Sequence, residues 1–213
     1  MMLEDEAKAW VAGRFDVSRE TMARLEAFVS LISSEAGSQN LVSSASFAQV
    51  WNRHIADSAQ LLEFGAVPRG RWLDLGSGAG FPGLIIAALS PAPVTLVEER
   101  ALRADFLARA AELLAVDIEI LPTRAERVAP RPFATISARA FAPLGRLLEI
   151  AAPFSTEKTL WLLPKGRNAQ TELDAVRATW QGDFRLEPSR TDPDARIIVA
   201  TGVSRRGRRS RRP

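Results

Sequence analysis

The chain has 213 residues, of which 46% are hydrophobic and 25% are charged, a composition typical of one folded domain with an extension. It contains no cysteine, and this excludes disulfides, thiolate metal sites and a cysteine nucleophile. No apolar run has membrane-spanning length, and the acidic start, Met1–Glu6, lacks the basic-then-apolar order of a signal peptide. We therefore expect a cytoplasmic protein with no metal and no membrane partner.

The net charge of +3 is unevenly distributed along the chain. Residues 204–213 hold six arginines and no acidic residue, so the rest of the chain carries a net negative charge. We interpret this segment as a disordered Arg-rich tail. Such a tail suits a polyanion, RNA among them, and a purely solubilising role explains the same composition.

Two amphipathic helices are predicted before the first strand. The first covers about residues 19–36, where apolar side chains recur at helical spacing. Ser46 caps the second, over about residues 47–64, and His54 falls within its apolar stripe. Together they predict an N-terminal helical cap, residues 1–65.

Residues 66–203 alternate between strand and helix patterns, which predicts a Rossmann-like α/β fold with helices on both faces of a mostly parallel seven-stranded sheet. The last two strands follow each other without a helix, so the terminal strand is expected to be antiparallel. The predicted strands begin at Trp72 and continue with Val94–Val97, Ile118–Leu121, Phe133–Ile136, Leu160–Leu163, Phe184–Leu186 and Ile197–Ala200. The predicted helices between them are Leu84–Leu89, Arg103–Leu114, Leu144–Ala152 and Asn168–Trp180.

The stretch W-L-D-L-G-S-G-A-G-F-P-G, from Trp72 to Gly83, reads as strand, glycine turn and helix, which is how an α/β sheet builds a nucleotide site. Its end matches the dinucleotide fingerprint G-x-G-x-x-G, but this match alone is weak evidence for a dinucleotide cofactor. Asp74 would crowd a pyrophosphate, but it can pair with an ammonium group. The earlier pattern D-x-G-x-G-x-G therefore favours S-adenosyl-L-methionine, with contacts at Asp74, Gly76, Gly78 and Gly80.

Acidic residues after the next strands suit the adenosine half of either cofactor. Glu98 ends the second strand, 20 residues after Gly78, where a carboxylate can accept bonds from both ribose hydroxyls. After the third strand, Ala125 can pack on adenine while Glu126 reads its amino edge. A solvated strand-end carboxylate at Glu98 and a surface ion pair between Arg124 and Glu126 are the alternatives.

Arg139 and Lys165 follow the fourth and fifth strands at the same sheet edge. Arg139 can reach a cofactor carboxylate or an RNA phosphate, and Lys165 can contact a phosphate or a guanine edge. A solvated loop lysine is the alternative for Lys165, and Phe141 either stacks on a base or packs. His54 is the only histidine, and its spacing favours a packed side chain oriented by Asp57.

The residue types of the chain also limit which atom of a substrate can accept a methyl group. Carbon-5 of a pyrimidine needs a cysteine nucleophile, and exocyclic amino groups are commonly served by an Asn/Asp-Pro-Pro-aromatic loop after the fourth strand. The chain has no cysteine, and its loop there, Ser137–Pro143, does not match that pattern. Guanine N7 carries a lone pair and no proton, so it needs no general base and fits a site that lacks one.

The chain resembles the bacterial small-subunit (16S) ribosomal RNA guanine-N7 methyltransferases, a family also called glucose-inhibited division protein B. The segments R-H-I-x-D-S and Arg-Ala-Phe-Ala are the most specific. The matching pieces, in the family's order, are Asn40–Ser43, Arg53–Ser58, Asp74–Gly83, Thr123–Glu126, Ser137–Ala142 and Lys165–Gly166.

This resemblance implies a class I S-adenosylmethionine-dependent methyltransferase that acts on 16S rRNA or the small ribosomal subunit. The implied cofactor contacts are Gly76, Phe81, Ala125, Glu126 and Arg139. We expect catalytic roles for Arg139, His54 and Lys165, and RNA contacts at Arg53, His54, Asp57, Arg124 and Lys165.

Nothing in the sequence requires more than a monomer. Three other functions stay open: a methyltransferase for another RNA or small molecule, a non-catalytic RNA-binding ribosome-assembly factor, and a nicotinamide-dependent dehydrogenase.

Overall fold

A computed structural model describes residues 2–35, 37–65 and 70–207. Its centre is one seven-stranded sheet in the order β3-β2-β1-β4-β5-β7-β6. Strands β1 to β5 pair in parallel, whereas β7 pairs antiparallel with both β5 and β6. The predicted α/β fold and its antiparallel terminal strand are confirmed. The strands are β1 (Trp72–Leu75), β2 (Val94–Val97), β3 (Ile118–Leu121), β4 (Thr135–Ala138), β5 (Leu160–Lys165), β6 (Trp180–Pro188) and β7 (Arg196–Arg205).

Helices cover both faces of the sheet, because side chains of a strand alternate between its two faces. In β1, Trp72 belongs to one buried cluster and Leu73 to the other. The first cluster packs on α5 (Gly83–Leu89) and α6 (Ala101–Leu114), and the second on α7 (Leu144–Ala151) and α8 (Ala169–Val176). All four residues of β1, β2 and β4 are buried, as expected for central parallel strands.

The N-terminal region packs into the first of these clusters, so the helical cap and the sheet share one core. It begins with α1 (Glu4–Arg14) and α2 (Arg19–Glu35). The predicted second helix over residues 47–64 is not one α-helix. It is divided into α3 (Ser44–Phe47), a wider π-type turn at Trp51–Ala56, α4 (Asp57–Ala59) and a tighter 3-10 turn at Gln60–Glu63.

Helix α1 is absent from the sequence prediction. Only Ala7 and Val11 of this helix are buried, so its apolar stripe is too thin to reveal it. The acidic first turn, Glu4-Asp5-Glu6, is a start signal that was available in the sequence, because carboxylates stabilise the N-terminus of a helix.

Other boundaries also differ from the prediction. Strand β4 begins two residues later than predicted, since its register with β1 starts at Thr135. Helix α8 ends at Val176, and Trp180 instead opens β6, where it pairs with Arg205.

The Arg-rich tail was predicted to begin at residue 204, but strand β7 continues through Arg205. Ser204 and Arg205 lie in β7, and the Arg205 guanidinium also donates to Glu149 at 2.8 Å. Residues 208–213, which contain the other four arginines, lie outside the described residues. Their disorder stays a prediction.

Among the helices of residues 2–35, 37–65 and 70–207, none has the length and apolar character needed to cross a membrane.

Candidate active site

The turn between β1 and α5 is built on glycines with left-handed backbone. Gly76, Gly78 and Gly80 have φ angles of +68°, +57° and +93°. This region costs other residues conformational energy, so the turn requires glycine. At Gly78 a side chain would meet no atom closer than 3.8 Å, which leaves the backbone there open to a ligand.

Asp74 holds this turn from the inside. Its Oδ2 accepts the Gly83 N–H at the start of α5 (3.2 Å), and its Oδ1 accepts the Ser137 hydroxyl (2.8 Å). Burial raises the pKa of Asp74 to about 6, although the bond from Ser137 opposes that rise. The carboxylate is 0% exposed and lines neither cavity described below. The structure thus corrects the expected contact between Asp74 and a cofactor ammonium group, because the carboxylate is fully buried and borders neither cavity.

Glu98 also supports the turn, from the end of β2. Its Oε2 accepts the Gly78 N–H at 2.9 Å, and its Oε1 accepts the Arg100 N–H at 2.9 Å. The side chain is 4% exposed and lines the smaller of two cavities. Since a carboxylate has about four acceptor positions, two remain for hydroxyl donors.

Two adjoining cavities lie at the carboxyl ends of the parallel strands, where such sheets bind ligands. The larger, of about 1300 Å³, is lined by the predicted site residues Arg53, His54, Asp57, Gly76, Gly78, Phe81, Arg139 and Lys165. The smaller, of about 430 Å³, is lined by Gly76, Glu98, Arg124, Ala125 and Glu126. Gly80 lines neither cavity: a side chain there would meet Leu84 at 2.3 Å, so this glycine allows α5 to pack closely.

Phe141 stands where the two cavities meet, and it lines both. A β-carbon on Gly76 would lie 2.4 Å from the Phe141 ring, so the glycine makes room for the aromatic side chain. The preceding residue, Ala140, has a φ of +52°, a strained value for a residue other than glycine. This backbone conformation turns the loop after β4 sharply between Arg139 and Phe141.

Arg139 is the centre of the larger cavity's polar wall. Its Nη1 donates to the Arg53 carbonyl (2.9 Å) and to Asp57 Oδ2 (3.2 Å), and its Nη2 donates to His54 Nδ1 (2.8 Å). The guanidinium also lies over the Phe81 ring, 5.3 Å from its centroid. The structure therefore joins two sequence motifs, R-H-I-x-D-S and Arg-Ala-Phe-Ala, through one side chain.

His54 is fixed in one tautomer. An arginine only donates, so Nδ1 must be the acceptor and Nε2 carries the proton. Burial, then the positive charges of Arg139 and Arg53, lower the pKa of His54 to about 3. The ring is 9% exposed and stacks on Phe81 with centroids 4.9 Å apart, as the sequence predicted for a packed histidine. It is consequently neutral at physiological pH.

Asp57 does not bond to the His54 ring, contrary to the sequence prediction; Arg139 lies between the two residues and is bonded to both. Asp57 Oδ1 accepts Gln60 Nε2 and the Thr191 hydroxyl, both at 2.8 Å, in addition to the bond from Arg139 to Oδ2. Thr191, on the β6–β7 connection, was not identified in the sequence analysis. No local pattern marks it, because it reaches the site across 134 positions of the chain.

Lys165 lies at the end of β5 and is largely buried. Its Nζ donates to the Ala142 carbonyl at 3.0 Å and to Glu172 Oε2 at 2.9 Å. Glu172 also accepts the Leu144 N–H at 2.7 Å, which ties α7 to α8. The lysine is thus not the free loop residue named as the alternative, and it retains one N–H for a ligand. Glu172 was also absent from the predicted site.

Arg124 and Glu126 border the smaller cavity, but they do not pair with each other. Arg124 is bonded to Glu99 (2.9 Å), and Glu126 to Arg146 (2.7 Å). The predicted alternative, an ion pair between the two, is therefore wrong. Arg124 lines only the smaller cavity and is separated from the other predicted RNA contacts. In the part of the chain that the structure describes, no three potential metal ligands cluster together.

Comparison with known proteins gives a consistent family signal. The model of the family described as rRNA small subunit methyltransferase G (GidB) matches residues 21–188. A relative from Zymomonas mobilis, named ribosomal RNA small subunit methyltransferase G, is 49% identical over 211 residues, covering 95% of this chain and 95% of its own. A protein of the same name from Rhizorhabdus wittichii is 51% identical, covering 97% of this chain and 96% of its own.

Solved structures share the fold at low identity. The ribosomal protein L11 methylase from Lactobacillus delbrueckii subsp. bulgaricus is 16% identical with a TM-score of 0.55, covering 73% of this chain and 79% of its own. A predicted O-methyltransferase from Agrobacterium tumefaciens is 21% identical with a TM-score of 0.56, covering 71% and 82%. The M. jannaschii TYW2 structure, in complex with AdoMet, is 12% identical with a TM-score of 0.55, covering 72% and 76%.

Proposed function

Because the chain belongs to the rRNA small subunit methyltransferase G family, we propose that it transfers a methyl group from S-adenosyl-L-methionine to N7 of a guanosine in small-subunit (16S) ribosomal RNA. The observation that carries the proposal is the family match over residues 21–188, which contain every residue lining the smaller cavity and most of those lining the larger one. The fold is that of class I S-adenosylmethionine-dependent methyltransferases.

The residues of the two cavities fit S-adenosyl-L-methionine. The open backbone at Gly78 gives a ligand close access to the turn, and Glu98 keeps acceptor positions for ribose hydroxyls. Ala125, 4% exposed, offers a small apolar surface for a base in the smaller cavity. Glu126 borders the same cavity, so its carboxylate is available to an amino group once it leaves Arg146. Gly76 and Arg139 lie nearer to the amino-acid end.

When bound, S-adenosyl-L-methionine supplies a methyl group on a positively charged sulfonium. The acceptor N7 of guanine has a lone pair and no proton, so no side chain needs to remove one. The work of the protein is then to hold two reactants in line, which can account for much of the rate gain in a group transfer. The site contains rigid polar contacts suited to that work.

Arg139 serves this positioning role directly. Three N–H···acceptor contacts fix its guanidinium, and two of its five N–H groups remain for a ligand carboxylate or phosphate. His54, expected to be catalytic, is neutral, and its acceptor nitrogen is bonded to Arg139. We therefore assign His54 the task of orienting Arg139 rather than of moving a proton.

The RNA enters on the side of the larger cavity. Arg53 is exposed there and, among the described residues, has no carboxylate within ion-pair distance. Lys165 lines the same cavity and holds a remaining donor, and the bond from Arg139 to Asp57 helps to fix the segment that carries Arg53. Arg124 is assigned to the adenosine side. A ribosomal substrate implies the bacterial cytoplasm, and a monomer as the active unit stays a prediction.

The test is methylation of small ribosomal subunits that lack the modification, with radiolabelled S-adenosyl-L-methionine. Naked 16S rRNA, large-subunit RNA and free guanosine are parallel substrates. We expect label on guanine N7 of 16S rRNA in subunits or naked RNA. Label confined to another RNA or to a free nucleoside would favour the second methyltransferase alternative, and RNA binding without any label would favour an assembly factor.

A nicotinamide cofactor is disfavoured, because the family match includes the glycine turn. Adding NAD in the same thermal-shift experiment as S-adenosyl-L-methionine gives a direct check. A larger stabilisation by NAD would contradict the cofactor assignment.

A further inference from the structure

Glu4, the first residue of α1, contacts a segment far along the chain. Its Oε2 accepts the Trp51 N–H and its Oε1 accepts the Asn52 N–H, each at 2.9 Å. The next amide, Arg53 N–H, already has a backbone acceptor, the Gln49 carbonyl at 2.7 Å. Glu4 therefore satisfies the leading amides of the π-type turn, where a helical segment lacks internal acceptors and favours a negative charge.

The same turn carries two of the contacts to Arg139, and the third comes from Asp57, the first residue of α4 directly after it. The Arg53 carbonyl lies one position after the capped amides, His54 Nδ1 follows, and Asp57 comes one turn later. A shift of the turn would move all three acceptors together. Arg139 would then lose the geometry that fixes its guanidinium in the larger cavity.

Asn52 links the capped turn to the opposite side of the cavity. Its Nδ2 donates to the Thr191 carbonyl at 3.2 Å, and the Thr191 hydroxyl donates to Asp57 Oδ1 at 2.8 Å. On the outer side, α1 packs against the turn through its buried Ala7 and Val11, which belong to the same buried cluster as Trp51. Glu4 thus sits where α1, the π-type turn and the β6–β7 connection are held in one arrangement.

We propose that Glu4 is a positioning residue for methyl transfer: by capping Trp51 and Asn52 it sets the π-type turn that holds Arg139. It touches neither cavity and acts only through that turn. The part concerning methyl transfer rests on the proposed function, whereas the part concerning the turn does not.

The test compares Glu4→Gln with Asp5→Asn in the full-length chain. Both variants remove one negative charge from the first turn of α1, but Asp5 is exposed. A glutamine amide presents an N–H to one of the backbone N–H groups, so one cap is lost. We expect kcat to fall about tenfold or more in Glu4→Gln, since a displacement of about 1 Å can cost up to about 100-fold in rate. We also expect a higher dissociation constant for S-adenosyl-L-methionine, because Arg139 lies near the amino-acid end of the cofactor, and normal values of both in Asp5→Asn.

His54 supplies a readout that a merely structural role would not move. As the only histidine, it gives a single imidazole signal whose titration can be followed by NMR. In the wild type, burial first and the charge of Arg139 second lower the pKa of His54 to about 3, and we expect this pKa to rise in Glu4→Gln, because a shifted turn exposes the ring and moves it away from Arg139. An unchanged titration, or an unchanged kcat, in folded Glu4→Gln would overturn the proposal.

Two further measurements keep the outcomes distinct. If wild-type protein methylates no RNA, the proposed function fails, and the His54 titration still decides whether Glu4 sets the turn. If Glu4→Gln does not fold, amide hydrogen exchange of the wild type replaces it. Slow exchange at Trp51 and Asn52 supports the cap, and exchange at the rate of an unbonded amide refutes it.

Discussion

Two buried titratable groups, His54 and Asp74, change the free energy of unfolding in opposite directions as the pH falls. Replacing one of them should therefore reveal the effect of the other. The pKa of His54 is lowered from 6.5 to about 3, whereas that of Asp74 is raised from 3.8 to about 6. Between pH 6.5 and 3 the unfolded chain binds a proton at His54 that the folded chain does not. Acid therefore lowers the free energy of unfolding through His54. Asp74 acts in the opposite sense, because its folded form is protonated first and its contribution is lost as the pH rises through 6.

The magnitudes follow from linkage. Going from pH 8 to pH 5, His54 should remove about 2 kcal/mol of stability and Asp74 should return about 1.4 kcal/mol, which leaves a small net loss from these two groups. The histidine figure depends only on the unfolded pKa, provided that the folded pKa lies well below 5. In His54→Gln the loss disappears. The change in unfolding free energy between pH 8 and pH 5 should then differ from that of the wild type by about 2 kcal/mol.

Urea unfolding, followed by tryptophan fluorescence at both pH values, measures this difference. Any loss of packing against Phe81 is the same at both pH values and cancels in the comparison. Asp74→Asn is the matched variant, and its change should deviate from the wild type in the opposite direction. A difference below about 0.5 kcal/mol for His54→Gln would refute the reasoning, because it would mean that the folded protein protonates His54 without penalty.

Three other changes test the site. Arg139→Ala should lower methyl transfer at least about 100-fold while circular dichroism stays normal, because it removes a group fixed by charge-assisted bonds rather than core packing; near-normal turnover would exclude Arg139 from the site. Gly78→Asp should abolish S-adenosyl-L-methionine binding in calorimetry, because its side chain enters the open space at the turn, whereas Gly13→Asp on exposed α1 should not; retained binding would contradict the cofactor site. Deleting residues 208–213 removes four arginines without shortening β7, and should lower the salt slope of RNA binding by up to about 3. An unchanged slope would make the tail a bystander.

Much of the fold follows from local sequence pattern. The alternation of apolar runs with helical periodicity predicts the parallel sheet, and the glycine turn predicts the position of the cofactor, because both depend on residues close together in the chain. Arg139 and Lys165 could be placed at one edge for the same reason. Parallel strands present their carboxyl ends at one side of the sheet, so residues that follow strands meet there.

Local pattern fails where a side chain has two permitted directions. Asp74 is a carboxylate beside the glycine turn and could therefore contact a ligand, yet its side chain points into the protein and accepts the Gly83 N–H at the start of α5. The direction depends on Ser137, which comes from a neighbouring strand 63 positions away. Similarly, His54 lies in a helical stripe that predicts packing, but the stripe does not reveal the partner that fixes its tautomer.

The sequence by itself determined the sheet, the glycine turn, the chemical class of the cofactor and, through its motifs, the family. Only the tertiary structure decided which polar side chains are bonded within the protein and which keep a donor or acceptor for a ligand. Glu4 caps Trp51 across 47 positions, and Thr191 reaches Asp57 across 134. Such pairings depend on how whole elements pack, and periodicity within a short window carries no information about them. The glycine turn locates the donor of the methyl group, while the contacts around Arg139 define the wall that an acceptor would meet.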